Sequence, residues 1–275
     1  MKYYKYKKEE KKEFDLIKEI LIKGLFHINM DVNFYDFDKI FIDLDSLLSI
    51  VIREELSTDK DKRIKLAHTI ADAINEFIEA YIDTNTINIY YNLDDYKVFR
   101  EIYPEWCKVR KERFSNESMV GFLHKYIISN LKKAANKINN FNVIKCDDAP
   151  VITIFNDIKL NPTLKYVIIS RDPHYNCIMA YYNVSIFNGR DLVDRSSLKY
   201  AKDLPNINYT MLPFYYLIRG LDRNEYKGAR LYGHKKTEKY INDNYETLIT
   251  WENPLLEEVK DYKNIFFLND LKIGK

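Results

Sequence analysis

Aspartates follow three of this chain's short runs of β-branched and apolar residues. Asp43 and Asp45 close the run that begins at Ile40 ("IFIDLD"), Asp147 and Asp148 follow "NVIKC", and Asp172 follows "YVIIS" in "ISRDPHYN". Short unbroken apolar runs read as buried strands of a parallel sheet, and in open α/β sheets ligands collect just beyond the carboxyl ends of the strands. Three strand ends would then share one rim. There Asp43, Asp147, Asp148 and Asp172 can converge on a divalent cation bound through oxygen, Mg2+ or Mn2+. His174, two residues beyond Asp172, could add a nitrogen donor better suited to Mn2+ or Zn2+. Taken singly, each aspartate could as well cap the helix that follows it.

The elements that must position these acids alternate. Strands are expected near 39–43, 86–91, 141–146, 165–170 and 184–188, with helices at about 61–82, 116–139 and 149–159 and another beginning near Ser46. Such alternation argues for an α/β fold, a mostly parallel central sheet flanked by helices. Residues 1–30 read as a charged helical lead-in with Phe14, Ile17, Ile20, Leu21 and Leu25 on one face. Residues 31–205 form the α/β domain, and 206–275 are helical by pattern, interrupted by "RGLDRNEYKGARLYGHKKTEKY".

Composition narrows the partners. With 43 Lys and Arg against 41 Asp and Glu, the net charge of +2 excludes attachment to nucleic acid by bulk charge alone and leaves local basic patches. Cys107, Cys146 and Cys177 are far apart, with no CxxC pair for zinc or redox chemistry, which fits a reducing, intracellular setting. The N-terminus "MKYYKYKKEEKKE" lacks the apolar core of a signal peptide, and no window approaches the ~20 apolar residues of a membrane helix. A cytoplasmic protein with no membrane partner is expected. The abundance of Lys, Ile, Asn and Tyr and the scarcity of Gly suit an AT-rich genome such as a phage or other virus, and other viral proteins are then candidate partners.

Between Ile89 and Phe114 the chain reads "IYYNLDDYKVFREIYPEWCKVRKERF". This resembles the 5'-nuclease family of flap endonucleases, phage 5'-3' exonucleases and the 5'-nuclease domain of bacterial DNA polymerase I, where a strand and an acid are followed by "FR", "YPEYK" and "R". Phe99, Arg100, Tyr103, Pro104, Glu105 and Arg110 stand at matching positions. The likeness continues in order over residues 38–245: "IDLDSLL" is similar to the family's "IDGSSLL", "KCDDAP" to "EADD", and "VIISRDPHYN" to "VIISSDGDF". "LIRGLDRNEYKGARLYGHKKTEKYI" is similar to the helix-three-turn-helix that grips duplex DNA. The resemblance implies a PIN-like fold, a metal-dependent acidic site and a DNA partner, branched or at a single-strand/duplex junction.

Departures from the family pattern fall on the acids. Asn92 stands near the second acid, with Asp94 and Asp95 as substitutes if the loop shifts; Lys145 takes the glutamate of "EADD", His174 an aspartate, and Leu221 and Asn224 two more. An ammonium at ~4 Å from a cation, at an effective dielectric of about 20, opposes it by about 4 kcal/mol per unit charge. The DNA-directed residues match better. Arg100, Lys108, Arg110, Lys111 and Arg113 interleave with Tyr103 and Trp106, which suits phosphate contact and base stacking. Gly228 and Gly233 persist in "KGARLYGHKKT" with Lys235 and Lys236, although Leu231 replaces a family glycine. The leading expectation is a nucleic-acid-binding protein on a 5'-nuclease fold with weakened or lost cleavage, with Mg2+ or Mn2+ as cofactor if the site is active and none if it is not. The alternatives are an active 5'-3' exonuclease or flap endonuclease with a reduced acidic site, and a non-catalytic scaffold subunit of a viral replication, transcription or packaging assembly.

Overall fold

In β1 (Lys39–Asp43) alternate residues face opposite ways, so Ile40 and Ile42 enter one apolar cluster and Phe41 the other. That period of two, with both faces apolar, is what a strand covered by helices on each side requires. The computed structural model describes residues 33–51, 60–92, 119–147, 149–179, 183–188, 192–194, 205–220, 228–250 and 252–258. The lead-in at 1–30, the basic run from Arg100 to Arg113, Asp94, Asp95, Asp148, Leu221 and Asn224 lie outside them.

β1 runs into α1 (Leu44–Val51), followed by α2 (Lys60–Tyr81), β2 (Thr86–Tyr91), α3 (Met119–Ala135), β3 (Phe141–Lys145), α4 (Pro150–Leu160) and β4 (Tyr166–Ile169). Then come α5 (Tyr175–Met179), β5 (Val184–Phe187), β6 (Leu192–Val193), α6 (Leu212–Arg219), α7 (His234–Asp243), α8 (Tyr245–Ile249) and α9 (Pro254–Glu258). The six strands lie in the order β3-β2-β1-β4-β5-β6, parallel except for β6. The expected mostly parallel sheet is what forms; α5 and the antiparallel β6 were not foreseen.

Strand order reverses between β1 and β4, the point at which α/β sheets open a crevice beyond their strand ends. Helices α2 and α3 cover one face through Ile70, Ile74, Phe77, Ile127 and Leu131, whose spacings of three and four residues put them on single helical faces. On the other face Ile154, Phe155 and Ile158 of α4 join Tyr175 and Ile178 of α5 and nearly all of α6. Each fully buried Ile or Phe contributes about 1.5–3 kcal/mol relative to exposure, which holds the strand ends at the rim in register.

Candidate functional site

Asp43 ends β1 directly before α1, so its carboxylate serves two structures at once. Oδ1 accepts the Ser46 N–H at 3.0 Å, capping the first turn of α1, while Oδ2 accepts the Tyr175 hydroxyl at 2.9 Å and the Ser170 hydroxyl at 3.4 Å. Ser170 Oγ in turn accepts the Asp172 N–H at 3.0 Å, and Ser46 Oγ accepts the Arg171 N–H at 2.9 Å. These bonds stitch the end of β1 to the loop after β4, with Ser170 joining the Asp43 carboxylate to the Asp172 backbone.

Of the aspartates that could cap α1, Asp43 makes the cap. Asp45 lies inside the first turn of α1, buried, where both carboxylate oxygens accept the Asn92 N–H at 3.3 Å and Oδ1 stands 3.9 Å from His124 Nδ1. Asn92 Nδ2 then donates to the Cys146 carbonyl at 3.0 Å, and the Cys146 N–H donates to the Tyr91 carbonyl. Asp45 therefore ties the start of α1 to the chain just beyond β2, and the Asn92 side chain ties that to the chain just beyond β3.

Burial pushes the Asp43 carboxyl up to about 7, and the negative charges of Asp45 and Asp172 push it the same way. The Ser46 N–H and Tyr175 hydroxyl oppose them by favouring the carboxylate. Burial also raises the Tyr175 phenol well above its ordinary value, with the Asp43 charge adding to it, so Tyr175 is a hydrogen-bond donor at any working pH. Asp43, with only 3% of its surface exposed, thus feels the charges of both Asp45 and Asp172, and a nearby cation would relieve that strain on its carboxylate.

The other expected site residues divide. His174 is buried, with its N–H and Nδ1 at 2.9 and 2.5 Å from Asp172 Oδ1. Asp147 is exposed one residue beyond the buried Cys146, and Lys145 is exposed at the end of β3, opposite Tyr91 of β2. Among the described residues no group of three His, Cys, Asp or Glu side chains is placed to hold a metal ion together. The donors fit a hard cation such as Mg2+ in part. Such an ion keeps several waters and can be bound through one or two carboxylates together with substrate phosphate, and Asp43 with Asp172 supplies that number.

Ser170, Tyr175 and His124 were not among the expected site residues. Tyr175 carries a signal only in hindsight: it follows Pro173 and His174 at the start of a five-residue helix too short to show a period. His124 sits on an apolar helical stretch, and its nearness to Asp45 is a contact across 79 residues of sequence that no local pattern shows.

A second region lies at the helical end of the chain. α6 is closed by Gly220 at φ 78°, and the chain returns at Gly228, φ 56°, where the Ala229 N–H donates to the Ile218 carbonyl at 2.8 Å. A Cβ on Gly228 would lie 2.4 Å from the Gly220 nitrogen and 2.5 Å from the Ile218 oxygen, so this close approach requires glycine. Gly233, the N-cap residue of α7, has open space where a Cβ would stand. Lys235 and Lys236 are exposed in the first turn of α7, Lys236 with its ammonium 4.3 Å from the centre of the Tyr232 ring.

No protein-family model matches the chain, and no curated protein matches it by sequence. Its structure is similar to the zinc-bound 5'-exonuclease of bacteriophage T5, at 14% identity over 85% of this chain and 89% of that one, with a TM-score of 0.60. The T5 D15 protein co-crystallised with metal ions aligns at 13% identity over 82% of this chain and 84% of that one, TM-score 0.56. The T5 D15 flap endonuclease in a pseudo-enzyme–product complex with DNA and metal ions aligns with the same identity, coverage and TM-score. At these identities the likeness establishes the fold: this chain has the fold of the 5'-nucleases.

Proposed function

We propose that this protein binds DNA at branched or single-strand/duplex junctions and cleaves it weakly or not at all. The observation that carries this reading is the make-up of the rim. Asp43 is bonded to Ser170, which accepts the Asp172 N–H, and feels the Asp172 charge, whereas the end of β2 offers an amide already bonded to the Cys146 carbonyl and the end of β3 carries Lys145. An amide keeps an oxygen but loses a charge, and an ammonium near a cation opposes it, so a full two-cation geometry is not supported. DNA binding is supported by the fold, by its likeness to a T5 flap endonuclease described in complex with DNA, and by exposed cations at the glycine-closed turn before α7.

In this reading residues 31–205 form the nuclease-type domain and 206–275 carry a degenerate helix-three-turn-helix. Gly228, Gly233, Lys235 and Lys236 would bind duplex phosphates, and Arg100, Tyr103, Trp106, Lys108 and Arg110, outside the described residues, would bind the junction by the family resemblance of their sequence. A divalent ion, when bound, would polarise the phosphate and lower the pKa of attacking water. Asp43 and Asp172 would hold it, Ser170 and Tyr175 would orient Asp43, and His174 would orient Asp172. A reduced-site nuclease is the second reading, favoured by a buried Asp43 whose carboxyl is raised by its burial and by the charges of Asp45 and Asp172.

Binding is tested with flap and duplex DNA across a salt series. Affinity should fall steeply with salt and be indifferent to base sequence. Lys235→Ala combined with Lys236→Ala should weaken binding and flatten the salt slope by roughly one to two units. Flap DNA held no better than a neutral polymer at low salt would contradict the reading.

A further inference from the structure

The two helices on one face of the sheet carry opposite charges on their outer sides. From Ala67 to Tyr91 the chain has no Lys or Arg, and from Met119 to Cys146 it has no Asp or Glu. Asp72, Glu76 and Glu79 are exposed on one side of α2 at helical spacing, and Asp83 is exposed in the turn that follows. Lys125, Lys132 and Lys133 are exposed on α3, and Lys137 in the turn after it. Ile87 of β2 pairs with Phe141 of β3; Asp83 and Lys137 each precede that pair by four residues, and Glu79 and Lys133 by eight. An acidic and a basic stripe therefore run side by side at one height. Among the described residues no ion pair joins them, and a hydrogen bond between the Tyr126 hydroxyl and His68 Nε2 at 2.6 Å links the helices instead.

Neighbouring helices pack about 8–10 Å apart, roughly one Debye length at physiological salt, so a charge brought to one stripe also feels the other. A partner of a single sign, nucleic acid included, is attracted by one stripe and repelled by its neighbour. A second copy is attracted by both. A two-fold axis between the stripes and parallel to the helices sets each stripe on the opposite stripe of the other copy, whereas an axis across the helices would set like on like.

We propose that the outer sides of α2 and α3 form a self-association surface, which joins two copies of this chain about a two-fold axis parallel to those helices. The stripes are densest where the helices lead into the starts of β2 and β3, at the opposite end of the strands from the acidic rim, so pairing leaves the rim open. The inference does not depend on the DNA-binding reading.

Sedimentation of the full chain over a range of protein and salt concentrations tests it. The unmodified protein should show a monomer–dimer equilibrium that weakens at least about ten-fold between roughly 0.05 and 0.5 M salt. Glu79→Lys combined with Asp83→Lys makes the two stripes alike at this end, and so does Lys133→Glu combined with Lys137→Glu. Each double variant should stay monomeric where the unmodified protein pairs, with Tm little changed because all four side chains are exposed. Mixed in equal amounts, the two variants should pair again, since every facing stripe at that end is then of opposite sign. An unmodified protein that is monomeric at every salt and concentration overturns the proposal, as do variants that still self-associate or a mixture that stays monomeric. A monomeric unmodified protein whose affinity for flap DNA falls in the Lys133→Glu and Lys137→Glu variant overturns it in favour of nucleic acid on the basic stripe.

Discussion

The acidic rim and the basic turn solve opposite problems. At the rim, charges are buried and hydrogen bonds hold them there: Asp43 takes three donors, Asp45 takes the Asn92 N–H, and Asp172 takes His174. At the turn the charges stand in water, and the constraint lies in the backbone, at Gly220, Gly228 and Leu231. Substitutions at the rim should therefore act through pH and cations, and those at the turn through chain geometry and salt.

The largest effect should come from the turn. Gly228→Ala adds a Cβ against backbone atoms at 2.4–2.5 Å and forces an L residue to φ 56°, so a loss of roughly 3–5 kcal/mol in urea unfolding is expected. Gly233→Ala, with open space and an ordinary φ of −84°, should cost no more than about 1 kcal/mol. Equal effects at the two glycines would break the contrast between a closed and an open turn position.

Asp43→Asn should come next, and with the opposite sign. The folded pKa of Asp43, about 7, lies above the ordinary 3.8, so the fold binds the proton more tightly than the unfolded chain does. Its contribution to stability is complete below pH ~4 and is lost as pH rises toward 7. Asp43→Asn should therefore stabilise the metal-free protein at pH 8 by roughly 2–4 kcal/mol and have little effect at pH 4. It should also abolish any rise in Tm caused by Mg2+. Destabilisation at pH 8 would mean that the hydrogen bonds to the carboxylate outweigh its burial.

Tyr175→Phe should act in the same place more weakly. Removing a donor to Asp43 leaves the carboxylate less supported, so its pKa should climb further and stability at pH 8 should fall by about 1.5 kcal/mol, with less loss at acid pH. Carboxyl NMR titration reads the shift directly. DNA affinity should be unchanged, which separates this effect from those at the turn.

The sheet was legible because its strands are short β-branched runs ended by Asp, Asn or Ser, and "KIFID", "TINIYY" and "YVII" fall within a residue of where they were expected. That Asp43 and Asp172 lie at or just beyond the ends of neighbouring parallel strands was legible for the same reason. What each carboxylate does there was not. The cap belongs to Asp43 because its Oδ1 reaches Ser46 N–H, while Asp45, two residues on, points to Asn92 and His124, and only folding brings those residues near. Leu231 was read merely as a lost glycine. Its positive φ, combined with exposure, is a property of the folded turn.

The central claim is that DNA is held but poorly cut, and hydrolysis of a 5'-flap by the unmodified protein in Mg2+ and then Mn2+ tests it most directly. Asp43→Asn combined with Asp172→Asn serves as the contamination control. The account expects flap DNA to be bound under these conditions while cleavage stays at or near that of the control. Robust cutting that disappears in the double variant would contradict it and make this chain a working nuclease with a reduced acidic site.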